Sequence, residues 1–129
     1  MTSDANEPED RAARDAAQRR SNPPTYTVYV IRLQQRAEHE RALQRKNPDY
    51  VPGKPVVYVG STAKTPEERF RQHLTGRRHW NRFVRRYGHR LFYWAMRDVP
   101  TFATRAEAEA AEAALAERLR ARSWMVWQN

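Results

Sequence analysis

Three groups of side chains stand at spacings that could do chemistry together. Arg69 and His73 are four residues apart in a stretch that reads as a helix, so they project from one face as neighbours. Arginine offers a permanent, planar charge suited to phosphate, and histidine can donate or accept a proton near neutrality. Phe70 and Leu74 form the adjacent apolar pair, expected to face a sheet, which would leave Arg69 and His73 overhanging the end of the preceding strand. The last predicted helix carries Glu107, Glu109, Glu112 and Glu117, and a metal-ligating carboxylate must point into the fold. At 100° per residue, Ala108, Ala111, Leu115 and Leu119 form one stripe. Glu112 lies at its edge, while Glu109 and Glu117 point further away. Tyr29 and Tyr58 sit in two β-rich runs where, without these partners, packing would be their expected role.

A second signal is electrostatic. Residues 69–97 contain nine arginines and no acidic residue, interleaved with Trp80, Phe83, Tyr87, Phe92, Tyr93 and Trp94. Arg71, Arg77, Arg78, Arg82, Arg85 and Arg86 are candidates for salt-dependent phosphate contacts, and Trp80 for stacking on an unpaired base. Most of the other rings are needed for the core of so short a chain. His73, His79 and His89 lack the spacing of a histidine metal cluster.

These residues need positioning. The run TYTVYVIRL (residues 25–33) reads as a first strand and VVYVG (residues 56–60) as a buried second one. Between them, residues 34–54 are polar and punctuated by Pro48, Pro52 and Gly53; they read as an insertion with a short helix over 35–45. Thr65-Pro66-Glu67-Glu68 is a capping box with proline at the first helical position, opening a helix over 66–75 that stops at Gly76. A short helix over 80–87, a third strand over 91–96 (LFYWAM), and a helix from the second capping box at Thr104 to about residue 122 complete the pattern, before an apolar tail, WMVWQN.

The two strands and the helix after them resemble the GIY-YIG nuclease pattern. Thr27-Val28-Tyr29 stands where the first triplet belongs, with threonine in place of the usual glycine, and Tyr58-Val59-Gly60 matches the second. Arg69 and His73 fall where the family has its helical arginine and its frequent histidine or tyrosine. Glu107-Ala108-Glu109-Ala110-Ala111-Glu112 reproduces the E-A-x-x-x-E helix pattern of the family's metal-binding glutamate, again selecting Glu112. Asn129 matches the asparagine of its final motif. The resemblance covers residues 25–129, with an insertion longer than compact members show.

The resemblance implies an α/β fold with a small central three-stranded antiparallel sheet flanked by helices. It implies a phosphodiester hydrolase with Tyr29, Tyr58, Arg69, His73 and Glu112 in the catalytic site. One divalent cation, Mg2+ or Mn2+, would be held by Glu112, and Tyr29 or Tyr58 would orient or deprotonate the attacking water. DNA, single-stranded or branched, is the expected partner, with RNA left open.

Composition bounds the rest. With 129 residues, the chain is one domain. Its net charge of +9, nearly all from arginine, points to a polyanionic partner. Residues 1–24 hold five acidic and four basic side chains and no large apolar one beyond Met1; they read as a disordered charged tail, which leaves +10 on residues 25–129. Absence of cysteine excludes disulfides and thiolate sites, and no apolar run approaches membrane-spanning length, so a cytoplasmic protein is expected. Two other readings fit the same residues: a catalytically inactive nucleic-acid-binding module, and the nuclease subunit of a larger assembly, docked through the tail or the insertion.

Overall fold

A computed structural model describes residues 24–128. The expected tail lies outside them except for Pro24, as does Asn129. Strand β1 (Thr27–Leu33) alternates Tyr29, Ile31 and Leu33 on one face with Val28 and Val30 on the other. Both faces are covered, which is why the strand reads as a nearly continuous apolar run. It pairs antiparallel with β2 (Val56–Thr62), placing Tyr29 opposite Gly60 and Ile31 opposite Tyr58.

With β3 (Gly88–Leu91) and β4 (Met125–Gln128) the sheet has four strands in the order β3-β1-β2-β4 and is mixed, which corrects the expected three-stranded antiparallel arrangement. The extra strand is β4 (Met125–Gln128), from the apolar tail, and it runs parallel to β2. A parallel neighbour requires a long crossover. That crossover contains α5 (Arg105–Ala121), opened by Thr104 accepting the Glu107 N–H. The turn from α5 into β4 uses Ser123 at φ 67°, with the Trp124 N–H returning to the Leu119 carbonyl. No glycine announces it.

The predicted third strand is displaced. β3 spans Gly88–Leu91, and residues Tyr93–Met96 form a single helical turn, α4. Pairing of β1 with β3 ends at Ile31–Leu91. Beyond it, Val30 receives the Phe92 N–H at 2.8 Å and gives its own N–H to Met96 Sδ at 3.3 Å. Turning the chain there lets Phe92 and Met96 pack down onto the sheet, whereas an extended strand would alternate their neighbours across two faces.

On the Tyr29 face lie a 3-10 turn (Gln35–His39) and α1 (Arg41–Lys46), in place of one helix over 35–45, together with α2 (Pro66–Thr75) and α3 (Arg82–Tyr87). The start of α3 is later than expected because Asn81 caps it, its Oδ1 accepting the N–H groups of Phe83 and Val84. The predicted N-caps of α2 and α5 form, Thr65 Oγ1 accepting the Glu68 N–H and Thr104 Oγ1 the Glu107 N–H, while each glutamate carboxylate accepts from the threonine hydroxyl. On the opposite face α5 buries Ala108, Leu115, Ala116 and Leu119. No helix of the described residues is long and apolar enough to cross a membrane.

The outer edge of β4 is closed by a side chain. Asn47, 4% exposed, accepts the Val126 N–H (2.8 Å) and donates to the Val126 carbonyl (3.0 Å), standing in for a neighbouring strand. Arg120 supports both partners through Nε to Asn47 (3.2 Å) and Nη2 to Val126 (3.2 Å). Asn47→Ala strands the Val126 N–H, and urea unfolding is expected to show a loss of about 2 kcal/mol, in the range for an unsatisfied buried polar group.

Candidate active site

Register places Tyr29 and Tyr58 as diagonal neighbours on one face, their ring centroids 6.0 Å apart. Gly60 makes this possible. A Cβ at Gly60 would lie 2.6 Å from Tyr29 Oη, 2.7 Å from its Cζ and 2.9 Å from Tyr58 Cε1. The glycine of the second triplet is thus a packing requirement set by the two tyrosines.

His73 sits above them, fully buried, and Phe70 is half-buried beside it, while Leu74 is 39% exposed. The inward stripe of α2 is therefore the Arg69–His73 pair with Phe70, which corrects the expected placement of Leu74. Tyr29 Oη and His73 Nε2 are 2.9 Å apart, and the Asn81 backbone N–H donates to His73 Nδ1 at 2.9 Å. A backbone N–H can only donate, so Nδ1 carries the lone pair and neutral His73 has its proton on Nε2. His73 therefore donates to Tyr29. Burial, reinforced by the charges of Arg69 and Arg85, pushes the His73 pKa down to about 4, which keeps this neutral tautomer at physiological pH.

Arg69 reaches over the site from α2. Its Nη1 donates to Gln72 Oε1 (2.7 Å) and to the His79 carbonyl (2.6 Å), and His79 is held at φ 57°. That left-handed backbone at a non-glycine residue turns its carbonyl toward the guanidinium. Burial raises the pKa of both phenols, Tyr29 up to about 12 and Tyr58 further. Arg69 opposes the rise at both, and a hydrogen bond between the two phenols lowers Tyr29 while raising Tyr58. The Tyr29 anion is thus favoured over that of Tyr58.

Glu112 comes from the opposite side of the sheet, on α5, and is 8% exposed. Its Oε2 accepts from Gln128 Nε2 on β4 at 2.9 Å, and the Ser61 side chain also bonds it. Burial raises its pKa, with Gln128 and Ser61 opposing. Its charge is felt at both tyrosines, raising their pKa values. Among the described residues no lysine or arginine forms an ion pair with it. A buried carboxylate held by neutral donors suits a hard divalent cation. No three His, Asp or Glu side chains cluster among the described residues, so such a cation would have Glu112 as its carboxylate and water and phosphate as its remaining oxygens.

Arg71, Arg77, Arg78, Arg82, Arg86 and Trp80 are exposed. Arg85 is half-buried: its Nε donates to the His73 carbonyl at 3.0 Å, its Nη2 to the Gly76 carbonyl, and its guanidinium lies 3.9 Å from the Trp80 ring centroid. It closes the end of α2 and backs Trp80. Five supporting residues had no assigned role in the sequence: Ser61, Gln72, His79, Asn81 and Gln128. Only Asn81 left a sequence signal, an N-cap residue ahead of an apolar helix.

Two outcomes follow. The depressed His73 pKa means that the unfolded chain, with its ordinary value of 6.5, binds the proton more tightly. Stability from neutral His73 is present above pH 6.5 and lost as pH falls toward 4. The advantage of the parent over His73→Gln, measured by urea unfolding, should shrink by about 3 kcal/mol between pH 7 and pH 4. Gly60→Ala should cost about 1–3 kcal/mol through overpacking, and displace the Tyr29 hydroxyl enough to suppress any activity that uses it.

No curated protein and no solved structure matches the chain significantly. The family model for the GIY-YIG catalytic domain matches residues 25–123, ending just before β4. The chain therefore belongs to the GIY-YIG nuclease superfamily, and is an endonuclease of that class acting on nucleic acid.

Proposed function

We propose that the protein is a divalent-cation-dependent endonuclease that hydrolyses phosphodiester bonds of DNA, with single-stranded or branched DNA as its substrate. The observation that carries this reading is the meeting of the Asn81–His73–Tyr29 hydrogen-bond chain, the Arg69 guanidinium and the Glu112 carboxylate around Gly60 and Ser61.

Tyr29 is the general base in this proposal. Its oxygen is approached by His73 Nε2–H, by Tyr58 and by Arg69; Tyr58 and Arg69 work against the rise that burial imposes and make Tyr29 easier to ionise than Tyr58. His73, neutral and fixed in its tautomer, holds the phenol in place and leaves the net positive charge to Arg69. Tyr58 donates to Tyr29 and orients it. Arg69, held at one nitrogen by Gln72 and His79, answers charge developing on the phosphate oxygens. Glu112 would hold Mg2+ or Mn2+, which when bound neutralises the phosphate and the leaving oxygen. Ser61 and Gln128 aim its carboxylate.

The preference for unpaired DNA is supported by Trp80, 42% exposed and backed by Arg85, one residue from the carbonyl that anchors Arg69. A ring so placed offers a stacking face beside the cleavage centre. The exposed arginines Arg71, Arg77, Arg78, Arg82 and Arg86 supply phosphate contacts without base readout.

End-labelled single-stranded, duplex and flapped DNA and an RNA of the same sequence, each with magnesium, manganese or chelator, test the reading. Cutting should require the metal and fall about 10³-fold in Glu112→Gln, whose shape is nearly conserved. Tyr29→Phe should lose about 10²–10⁴-fold in kcat and flatten its rise toward alkaline pH, while Tyr58→Phe keeps the rise. Chelator-insensitive cutting, or equal cutting by Glu112→Gln, would overturn the metal assignment.

A further inference from the structure

The face of the sheet covered by α5 carries an aromatic cluster that the cleavage chemistry leaves unused. Trp124 is its buried floor. Phe92 stacks on Trp124 with centroids 5.7 Å apart and planes within 6°, and Trp94 stacks beside it at 6.4 Å and 28°. Trp94 nevertheless remains 50% exposed. Arg97 lies 4.3 Å and Arg122 5.9 Å from the Trp94 ring centroid, while Arg90 and Arg32 lie 5.2 and 5.8 Å from that of Phe92. Between α4 and the C-terminal half of α5 a cleft of about 260 Å³ opens, lined by Trp94, Leu115, Arg118 and Arg122 among others. Its one acidic residue, Asp98, is already 3.7 Å from Arg97.

Packing alone accounts poorly for this cluster. Trp94 is left half in water, and the guanidinium over it, that of Arg97, is itself exposed and can yield its place on the ring to another flat partner. Gathering Arg97, Arg118 and Arg122 around one acid leaves an excess of positive charge that an anion would relieve. The site is also apart from the cleavage centre. Arg122 is ten residues beyond Glu112 on α5, about 15 Å along its axis. Arg118 and Arg122 line the α4 side of the helix, whereas Glu112 meets Ser61 and Gln128.

We infer that this cluster is a second nucleic-acid site, which takes an unpaired stretch of the substrate by stacking a base on Trp94 while Arg97, Arg118 and Arg122 hold phosphates. The inference rests on the nucleic-acid substrate of the proposed function but on none of its cleavage chemistry. A single strand is the occupant because a paired base keeps both faces within its own helix, and only an unpaired one can lie against the exposed ring.

The full chain in chelator, which prevents cutting, is titrated with a fluorescein-labelled oligothymidylate and with a duplex of equal length, by anisotropy over a range of salt. Trp94→Ala should weaken single-strand binding about 5- to 150-fold, the loss of one base–aromatic stack, and change duplex binding by less than about two-fold. Trp94→Phe keeps a stacking face and should bind within about three-fold of the parent. Arg97→Ala with Arg122→Ala, which leaves the rings in place, should lower the slope of log affinity against log salt by about 1.4, or 0.7 per charge on a single strand. Single-strand affinity and salt slope unchanged in these variants would overturn the inference, as would equal losses on single strand and duplex. A parent that binds neither DNA would instead overturn the substrate reading of the proposed function.

Discussion

The hydrogen bond between His73 Nε2 and Tyr29 Oη ties α2 to the centre of the sheet, and much of the site depends on it. Both groups are buried, where a polar atom without a partner is costly. Each end of the imidazole therefore needs its own partner, and the Asn81 N–H supplies the second. Asn81 in turn starts α3 through its side chain, so one residue sets the imidazole tautomer with its backbone and begins a helix with its amide. No buried side-chain polar atom is left unpartnered among the described residues.

Topology accounts for the meeting of the two opposite charges. Tyr29, Tyr58 and His73 occupy one face of the sheet, whereas α5 packs on the other. Because β4 runs parallel to β2, α5 must cross the sheet before β4 begins, and its middle passes the end of β2 at Ser61. Glu112 bonds there to Ser61 and Gln128. Gly60 keeps the space beside the tyrosines open at the same place. The carboxylate and the guanidinium approach the phenols from different elements, and neither is neutralised by the other: no ion pair joins Arg69 to Glu112 among the described residues.

Arginine has two distinct uses in this chain. Arg85 and Arg120 are turned inward, satisfying carbonyls at the end of α2 and on β4. Others stay exposed with the guanidinium over an aromatic ring, as Arg82 over the buried Phe83 and Arg97 over Trp94. Composition counts both kinds alike, so the net charge by itself overstates the number of guanidinium groups available to phosphate.

Local patterns determined much of this protein. The two strands, the capping boxes of α2 and α5, the Arg69–His73 pair and Glu112 at the edge of an apolar stripe are all short-range signals, legible because capping and periodicity act within a few residues. Tertiary structure decided the rest. A four-residue apolar tail becomes a strand only when β2 is there to pair with it, and a parallel partner leaves no hairpin signature. The 91–96 run turns because Val30 finds its partners in Phe92 and Met96. Likewise Ser61 and Gln128 come to Glu112, the Asn81 N–H to His73, and the His79 carbonyl to Arg69, through contacts between elements. Such contacts depend on which elements lie side by side, and residue type and spacing alone do not encode that.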